Sequence, residues 1–285
     1  MSAVPHHLWD TPSDDLAVDA SSQWTAGVVF ETFGEKLGIR TNEPGILDRI
    51  LEALPPVREM CDDHLVENLY SLQVAPRHGR GGKHTLYRNA ARLYRSKNLE
   101  FVLGLLEDEI RQEVAYWADD DYIFVHAGVV AINDKAIVLP GNSGAGKSTL
   151  VAALIDAGAE YYSDDMAVFD PSGRVIAYPT PLSIRRNRAV KKDIVPVSPA
   201  QIGRQPRAVG LVLETRYDAA VKRWQPRALS RARTIMSLFN HTLAARRLPK
   251  QAIRRFSTAV DGARAYRGRR REAADIMDWI KRQVS

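Results

Sequence analysis

Residues 136–150 read Ala136-Ile137-Val138-Leu139-Pro140-Gly141-Asn142-Ser143-Gly144-Ala145-Gly146-Lys147-Ser148-Thr149-Leu150. The apolar run before Pro140 suits a buried strand, and Leu150, Val151, Leu154 and Ile155 recur at helical spacing after the glycines. Between strand and helix lies a full G-x-x-x-x-G-K-[ST] match, from Gly141 to Ser148. Glycines let successive backbone N–H groups turn inward, and the start of a helix adds partial positive charge. Such a loop can cradle phosphates. Gly141, Asn142, Ser143, Gly144, Ala145, Gly146, Lys147, Ser148 and Thr149 are therefore the candidate nucleotide-binding residues. Lys147 would reach the β/γ-phosphates, and the Ser148 hydroxyl would ligate Mg²⁺.

Two further features belong to this neighbourhood. Asp164-Asp165 follows Lys147 by a helix and the approach to the next strand, a path that brings the pair back beside the loop. One carboxylate could hold Mg²⁺ and the other accept a hydroxyl proton. His126 sits earlier, on an apolar strand with Phe124, Val125 and Val129. Taken alone, a histidine in that setting is as well explained by core packing.

Phe124-Val125-His126-Ala127-Gly128, the Gly141–Ser148 loop and Gly158-Ala159-Glu160-Tyr161-Tyr162-Ser163-Asp164-Asp165 together resemble the HPr kinase/phosphorylase family and its relatives. That resemblance implies a compact P-loop kinase core related to the phosphoenolpyruvate carboxykinase fold. It also implies ATP-dependent phosphoryl transfer to serine. Carried over by position, His126 and Lys147 handle the phosphate, Asp165 is the base, and Ser148 and Asp164 serve the metal. The family's Glu-Ile-Arg-Gly signature is missing; the nearest stretch is Ser183-Ile184-Arg185. The HPr-regulator identity, the reverse phosphorylase activity and the hexamer are therefore not carried over. The lead-in before His126 is similar to HPr-kinase-related proteins encoded with peptide natural products, among them kinases of lasso-peptide precursors.

Outward from this core, residues 1–22 are polar and rich in Pro, Asp and Ser, as in a flexible tail. Residues 23–118 suit an N-terminal α+β region. Its strands are expected over 24–33, 36–40, 69–74 and 85–94, with helices over 45–54 and, capped by Asn98, 99–117. Phe101, Leu105, Ile110 and Val114 are the expected apolar positions of that second helix, and residues 77–83 a glycine-rich turn. Residues 119–285 form the expected kinase domain. Strands are expected over 123–132, 135–139, 161–168, 175–184 and 209–213. Helices are expected over 147–157, 227–247, 249–260 and 269–282, giving an α/β (α+β) chain with a basic, helical C-terminal part.

The chain has 285 residues, 45% hydrophobic and 26% charged, which is ordinary globular usage. No apolar run is long enough for a transmembrane helix, and the start MSAVPHHLWDTPSDD lacks the basic and apolar segments of a secretory signal. Cys61 is the sole cysteine, which excludes an intrachain disulfide and fits a reducing, cytoplasmic setting. Histidines are scattered without ligand spacing, so no structural metal site is expected.

Charge is uneven. Residues 201–285 carry 20 Lys/Arg against 6 Asp/Glu, whereas residues 1–200 carry 20 against 28. The polarity suits an acidic partner or phosphates, or a solvated basic helix. No finger spacing or aromatic RNA-binding signature supports nucleic acid. The expected partners are ATP and a hydroxyl-bearing acceptor (peptide, protein or small molecule), with no membrane and with homo-oligomerisation left open. Arg185, Arg227 and Arg231 are candidate transition-state arginines. The alternative reading is a P-loop ATPase, nucleotide switch or nucleotide-dependent binding module, in which Glu214, ending the run 209–213, activates water.

Overall fold

The computed structural model describes residues 24–62, 66–76, 82–185 and 192–285. The expected tail at 1–22 and most of the glycine-rich turn at 77–83 lie outside the described residues. The chain is mixed α+β and divides into two compact units, the first ending at Asp119 and the second spanning Asp120–Ser285. Among the described residues no helix is long and apolar enough to cross a membrane.

The first unit holds β1 (Ala26–Thr32), β2 (Glu35–Thr41), α1 (Leu47–Ala53), β3 (Glu59–Cys61), β4 (Asn68–Gln73), β5 (His84–Arg88), β6 (Ala91–Ser96) and α2 (Leu99–Trp117). Its strands form one six-stranded sheet in the order β3-β1-β2-β4-β5-β6. The single strand expected over 85–94 is a hairpin instead. Asn89 adopts φ +50° at the turn, a conformation asparagine tolerates better than most residues. Asn98 caps α2 as expected, its side chain accepting from Phe101 N–H. The buried stripe of α2, however, is Val102, Leu106, Ile110, Glu113 and Val114, while Phe101 is exposed. Ile110 and Val114 are buried as expected, whereas Val102 and Leu106, one position on, take the places expected for Phe101 and Leu105.

The second unit contains β7 (Ile123–Ile132), β8 (Lys135–Pro140), α3 (Lys147–Asp156), β9 (Glu160–Ser163), β10 (Met166–Phe169), β11 (Val175–Ile176), β12 (Ser183–Arg185) and β13 (Lys192–Ile194). It continues with β14 (Ala208–Tyr217), β15 (Arg227–Ala228), α4 (Arg231–Asn240), α5 (Pro249–Ala259), β16 (Arg264–Arg270) and α6 (Met277–Gln283). The main sheet runs β11-β10-β7-β8-β14-β16-β15, with β9 also on β7; β12 and β13 pair separately. Strands β8, β14 and β16 are mutually parallel, so their C-terminal ends share one edge of the sheet.

Side chains alternate across β8. Ala136 and Val138 join a core with Leu238 of α4 and Ala252 and Phe256 of α5, while Ile137 and Leu139 join another with Leu150 and Leu154 of α3 and Ile280 of α6. A strand buried on both faces needs apolar residues throughout, which is what the run 136–139 supplies.

Four expectations are corrected here. The strand expected over 161–168 breaks at Asp164-Asp165 into β9 and β10, both paired with β7. The strand expected over 175–184 survives only at its ends, because Pro179 and Pro181 lack the N–H a ladder requires. The helix expected over 227–247 is confined to α4. It starts at the Ser230 cap and stops where His241 O accepts from His126 N–H at 2.7 Å and Thr242 bridges Val125. The helix expected over 269–282 starts later, with a 3-10 turn at Ala274–Ile276 leading into α6, because Arg269 and Arg270 end strand β16, which is inserted between β14 and β15. The C-terminal part is thus strands and helices rather than a helical tail.

Gly128 on β7 marks the closest approach of α3. A Cβ there would lie 2.8 Å from Val151 Cγ2 and 3.6 Å from the Asp164 carbonyl oxygen. Gly128→Ala should therefore destabilise the protein by about 1–3 kcal/mol through overpacking. Urea denaturation of the same change in a Val151→Ala background should recover much of that cost. An equal cost in both backgrounds would place the crowding elsewhere.

Candidate active site

The loop at 141–146 joins β8 to α3 at the shared C-terminal edge of the parallel strands. Open α/β sheets bind ligands at this edge. Gly144 and Gly146 have φ of +81° and +87°, a left-handed backbone that glycine adopts without strain. The loop is tied down by its carbonyls. Lys147 Nζ donates to Gly141 O at 2.7 Å and Asn142 O at 3.3 Å, Tyr217 N–H donates to Ala145 O at 3.0 Å, and Arg270 Nη2 donates to Gly146 O at 2.7 Å. The first N–H groups of α3 have no partner within a helix, by the geometry of helix starts.

Lys147, the first residue of α3, is buried, with 8% of its surface exposed. Burial pushes its ammonium pKa down, and the Asp165 and Asp164 carboxylates push it back up. Its Nζ also lies 3.2 Å from His126 Nε2, and His126 Nδ1 lies 3.1 Å from Asp165 Oδ1. An ammonium has no lone pair, so Nε2 must accept, which leaves the proton on Nδ1 to be donated to the carboxylate. The three residues form one chain, Asp165–His126–Lys147, drawn from β7, the loop–helix junction and the β9–β10 break. His126 and Asp165 are 30% and 34% exposed, so a ligand can reach both.

The break that separates β9 from β10 creates this arrangement. Met166 N–H is taken by Ser163 Oγ at 3.1 Å and Ala127 N–H by Asp165 O at 3.0 Å, so ladder pairing is interrupted where the two carboxylates emerge. Interruptions of this kind re-aim side chains out of a sheet. Asp164 turns inward. It is 7% exposed, its Oδ2 accepts from Ser183 N–H at 3.3 Å, and its Oδ1 is buried without a hydrogen-bond partner. Burial raises its pKa, and the nearby Ser148 hydroxyl and Ser183 N–H lower it in part. An orphaned buried carboxylate oxygen beside a serine hydroxyl suits a hard cation such as Mg²⁺, which takes oxygen ligands and keeps several waters. Among the described residues no group of three or more His, Cys, Asp or Glu could hold a metal, so an all-protein cage is not offered.

The structure thus brings His126, Lys147, Ser148, Asp164 and Asp165 together with the loop. Thr149 is exposed on the first turn of α3. Glu214 lies within β14 in the cleft beside the loop, where its Oε2 accepts from Ser237 Oγ at 2.8 Å and Arg267 at 2.7 Å. Arg231 is tied to Ser257 O and Asp261, away from the loop, which removes it as a transition-state candidate. Arg227 lines the cleft, and the side chain of Arg185 lies outside the described residues.

Arg270 was missed from the sequence. It is 1% exposed, its Nε is buried without a partner, and burial lowers its pKa. The signal was available in Arg264-Ala265-Tyr266-Arg267-Gly268-Arg269-Arg270, where buried Ala265 and exposed Arg264, Arg267 and Arg269 do not keep a helical stripe. No model of a known protein family matches the chain, and no curated protein does.

The buried Asp164 predicts a stability signature. Its native pKa is raised, so below the ordinary aspartate pKa its carboxyl is neutral in both states and carries no penalty. As pH rises through the raised native value, the folded state must hold a desolvated charge and stability is lost. Asp164→Asn keeps an acceptor for Ser183 N–H and removes that loss. The variant should melt higher than wild type at neutral pH without ligand, and the difference in Tm should shrink as pH falls. Equal melting at every pH would mean that the carboxylate is already compensated.

Proposed function

We propose that this chain is an ATP-dependent kinase that transfers the γ-phosphoryl group to a serine-type hydroxyl, with a P-loop kinase core of the HPr-kinase kind. The observation that carries the reading is the Asp165–His126–Lys147 chain at the mouth of the glycine loop. Loops of this type hold phosphates through their amides, and a buried ammonium compensates the phosphate charge. Lys147 is already anchored by two loop carbonyls, so little reorganisation is needed when a nucleotide enters.

Asp165 is the part of the chain closest to solvent. An alcohol is a poor nucleophile at neutral pH, and a carboxylate within hydrogen-bond reach takes its proton as it attacks. His126 stands between this base and Lys147, so it orients the carboxylate and accepts from the ammonium at once. Ser148 and Asp164 would hold Mg²⁺, which when bound neutralises charge on the β/γ-phosphates. A peptide, a protein or a small molecule can carry the acceptor hydroxyl; the residues act the same way on each.

A hydrolase reading would ask Glu214 to activate water. Its bonded oxygen is engaged by Ser237 and Arg267, which favours the kinase. Two substitutions test the proposal, with labelled ATP and phosphate fate as the readout. Lys147→Met should cut phosphoryl transfer by about 10²–10³-fold or more and weaken nucleotide binding. Asp165→Asn should keep ATP binding and lower kcat by about 10²–10⁴-fold. Near-normal turnover in Asp165→Asn would remove the base, and release of inorganic phosphate alone, whatever the acceptor, would favour hydrolysis.

A further inference from the structure

Beside the loop lies a cleft of about 860 Å³ whose lining includes residues 141–145 together with Arg216, Arg223, Arg227, Arg267 and Arg269. A volume of this order suits a ligand site. The lining does not suit a nucleobase, which favours apolar and aromatic walls; Val221 and Ala145 are the main aliphatic groups here.

Two observations make the arginines more than a solvated surface. First, they are under-compensated. Arg267 pairs with Glu214 and Arg269 with Asp218, whereas Arg216, Arg223 and Arg227 have no ion pair among the described residues. Second, the strand register sets like charges side by side. Arg227 stands opposite Arg267 across β15–β16, and Arg216 opposite Arg269 across β14–β16. Like charges placed directly opposite on neighbouring strands destabilise a sheet. Two such pairs on one wall of one cleft are a cost that a bound anion would relieve.

We infer that the cleft binds an acidic peptide segment of the acceptor, whose carboxylate or phosphate groups lie near the hydroxyl to be phosphorylated. Four of the five arginines lie on three neighbouring strands spaced about 4.8 Å apart, so these four span roughly 10 Å. That is wider than one phosphate and matches about three residues of extended chain. The lining includes His241, whose carbonyl holds His126 N–H, so the cleft adjoins the strand that carries His126. Guanidinium groups bind carboxylate and phosphate alike through paired N–H donors. The choice of acceptor rests on the kinase reading; the binding of the acidic segment does not.

The test uses the full chain and three fluorescent peptides of one sequence around a serine, bearing glutamates, phosphoserines or glutamines. Wild type should bind the glutamate or the phosphoserine peptide and not the glutamine one, and whichever anionic peptide binds tighter identifies the anion. That peptide should also raise Tm, because binding to the folded state alone stabilises it. Arg216→Gln/Arg223→Gln/Arg227→Gln should weaken peptide binding at least tenfold and flatten its salt dependence, with affinity for a fluorescent ATP analogue unchanged. The peptide should still bind Lys147→Met, and peptide binding by wild type with no transfer to its serine would overturn the kinase reading and leave the cleft assignment standing. Failure of both anionic peptides to bind or to raise Tm of wild type would overturn the cleft assignment, as would a parallel loss of ATP affinity in the triple variant. Tighter, sequence-independent binding of a single-stranded oligonucleotide to the same arginines would overturn it in favour of a nucleic-acid face.

Discussion

The ammonium of Lys147 is the constraint around which the second unit is arranged. A buried cation costs several kcal/mol unless donors and charges are matched around it. Here it is met by two loop carbonyls, an imidazole nitrogen and, beyond that nitrogen, a carboxylate. Each partner comes from a different element. The carbonyls require the loop to fold back over the start of α3. The imidazole requires β7 to lie beside β8 in the observed register, and the carboxylate requires the strand that follows α3 to break opposite Ala127. Moving any one of these elements would leave a buried charge unmatched.

A second cation holds the far side of the same loop. Arg270 is buried beneath it and donates to the carbonyl of Gly146, the residue before Lys147. Tyr217 N–H takes the carbonyl of Ala145. With its carbonyls engaged from β14, β16 and α3, the loop is held as a preorganised unit, and preorganisation is what lets hydrogen-bond donors act on charge at little cost. The basic character of residues 201–285 therefore has two parts. Arg270 is structural and internal, whereas Arg216, Arg223 and Arg227 face the cleft without acidic partners.

Costly features meet at this edge of the second unit's main sheet. Asp164 keeps an unpartnered oxygen, and two pairs of arginines stand in register. The cores on both faces of the sheet are, by contrast, regular and apolar. Unfavourable features persist where surrounding structure over-determines them, and they concentrate at sites that bind. The double-sided packing of β8 is the support that makes them tolerable, since its residues anchor the loop from both faces.

The sequence by itself determined β8, the loop, α3 and the Asn98-capped α2. Their signals are local: an apolar run, glycines where the backbone turns left-handed, a helical period and a capping side chain, all within a few residues of one another. It also marked His126 and the aspartate pair as candidates, though not their hydrogen bonds. Tertiary structure decided the rest. Residues 264–270 carry four arginines and became a strand because β14 and β15 offer them ladder partners and the cleft offers their charges water. The helix from 231 ended at Asn240 because β7 claims the backbone of His241 and Thr242. Arg270 meets Gly146 across 124 residues of chain. Dihedral preference and periodicity act within a turn or two of the backbone, whereas a buried charge finds its partner only after the whole chain has closed around it.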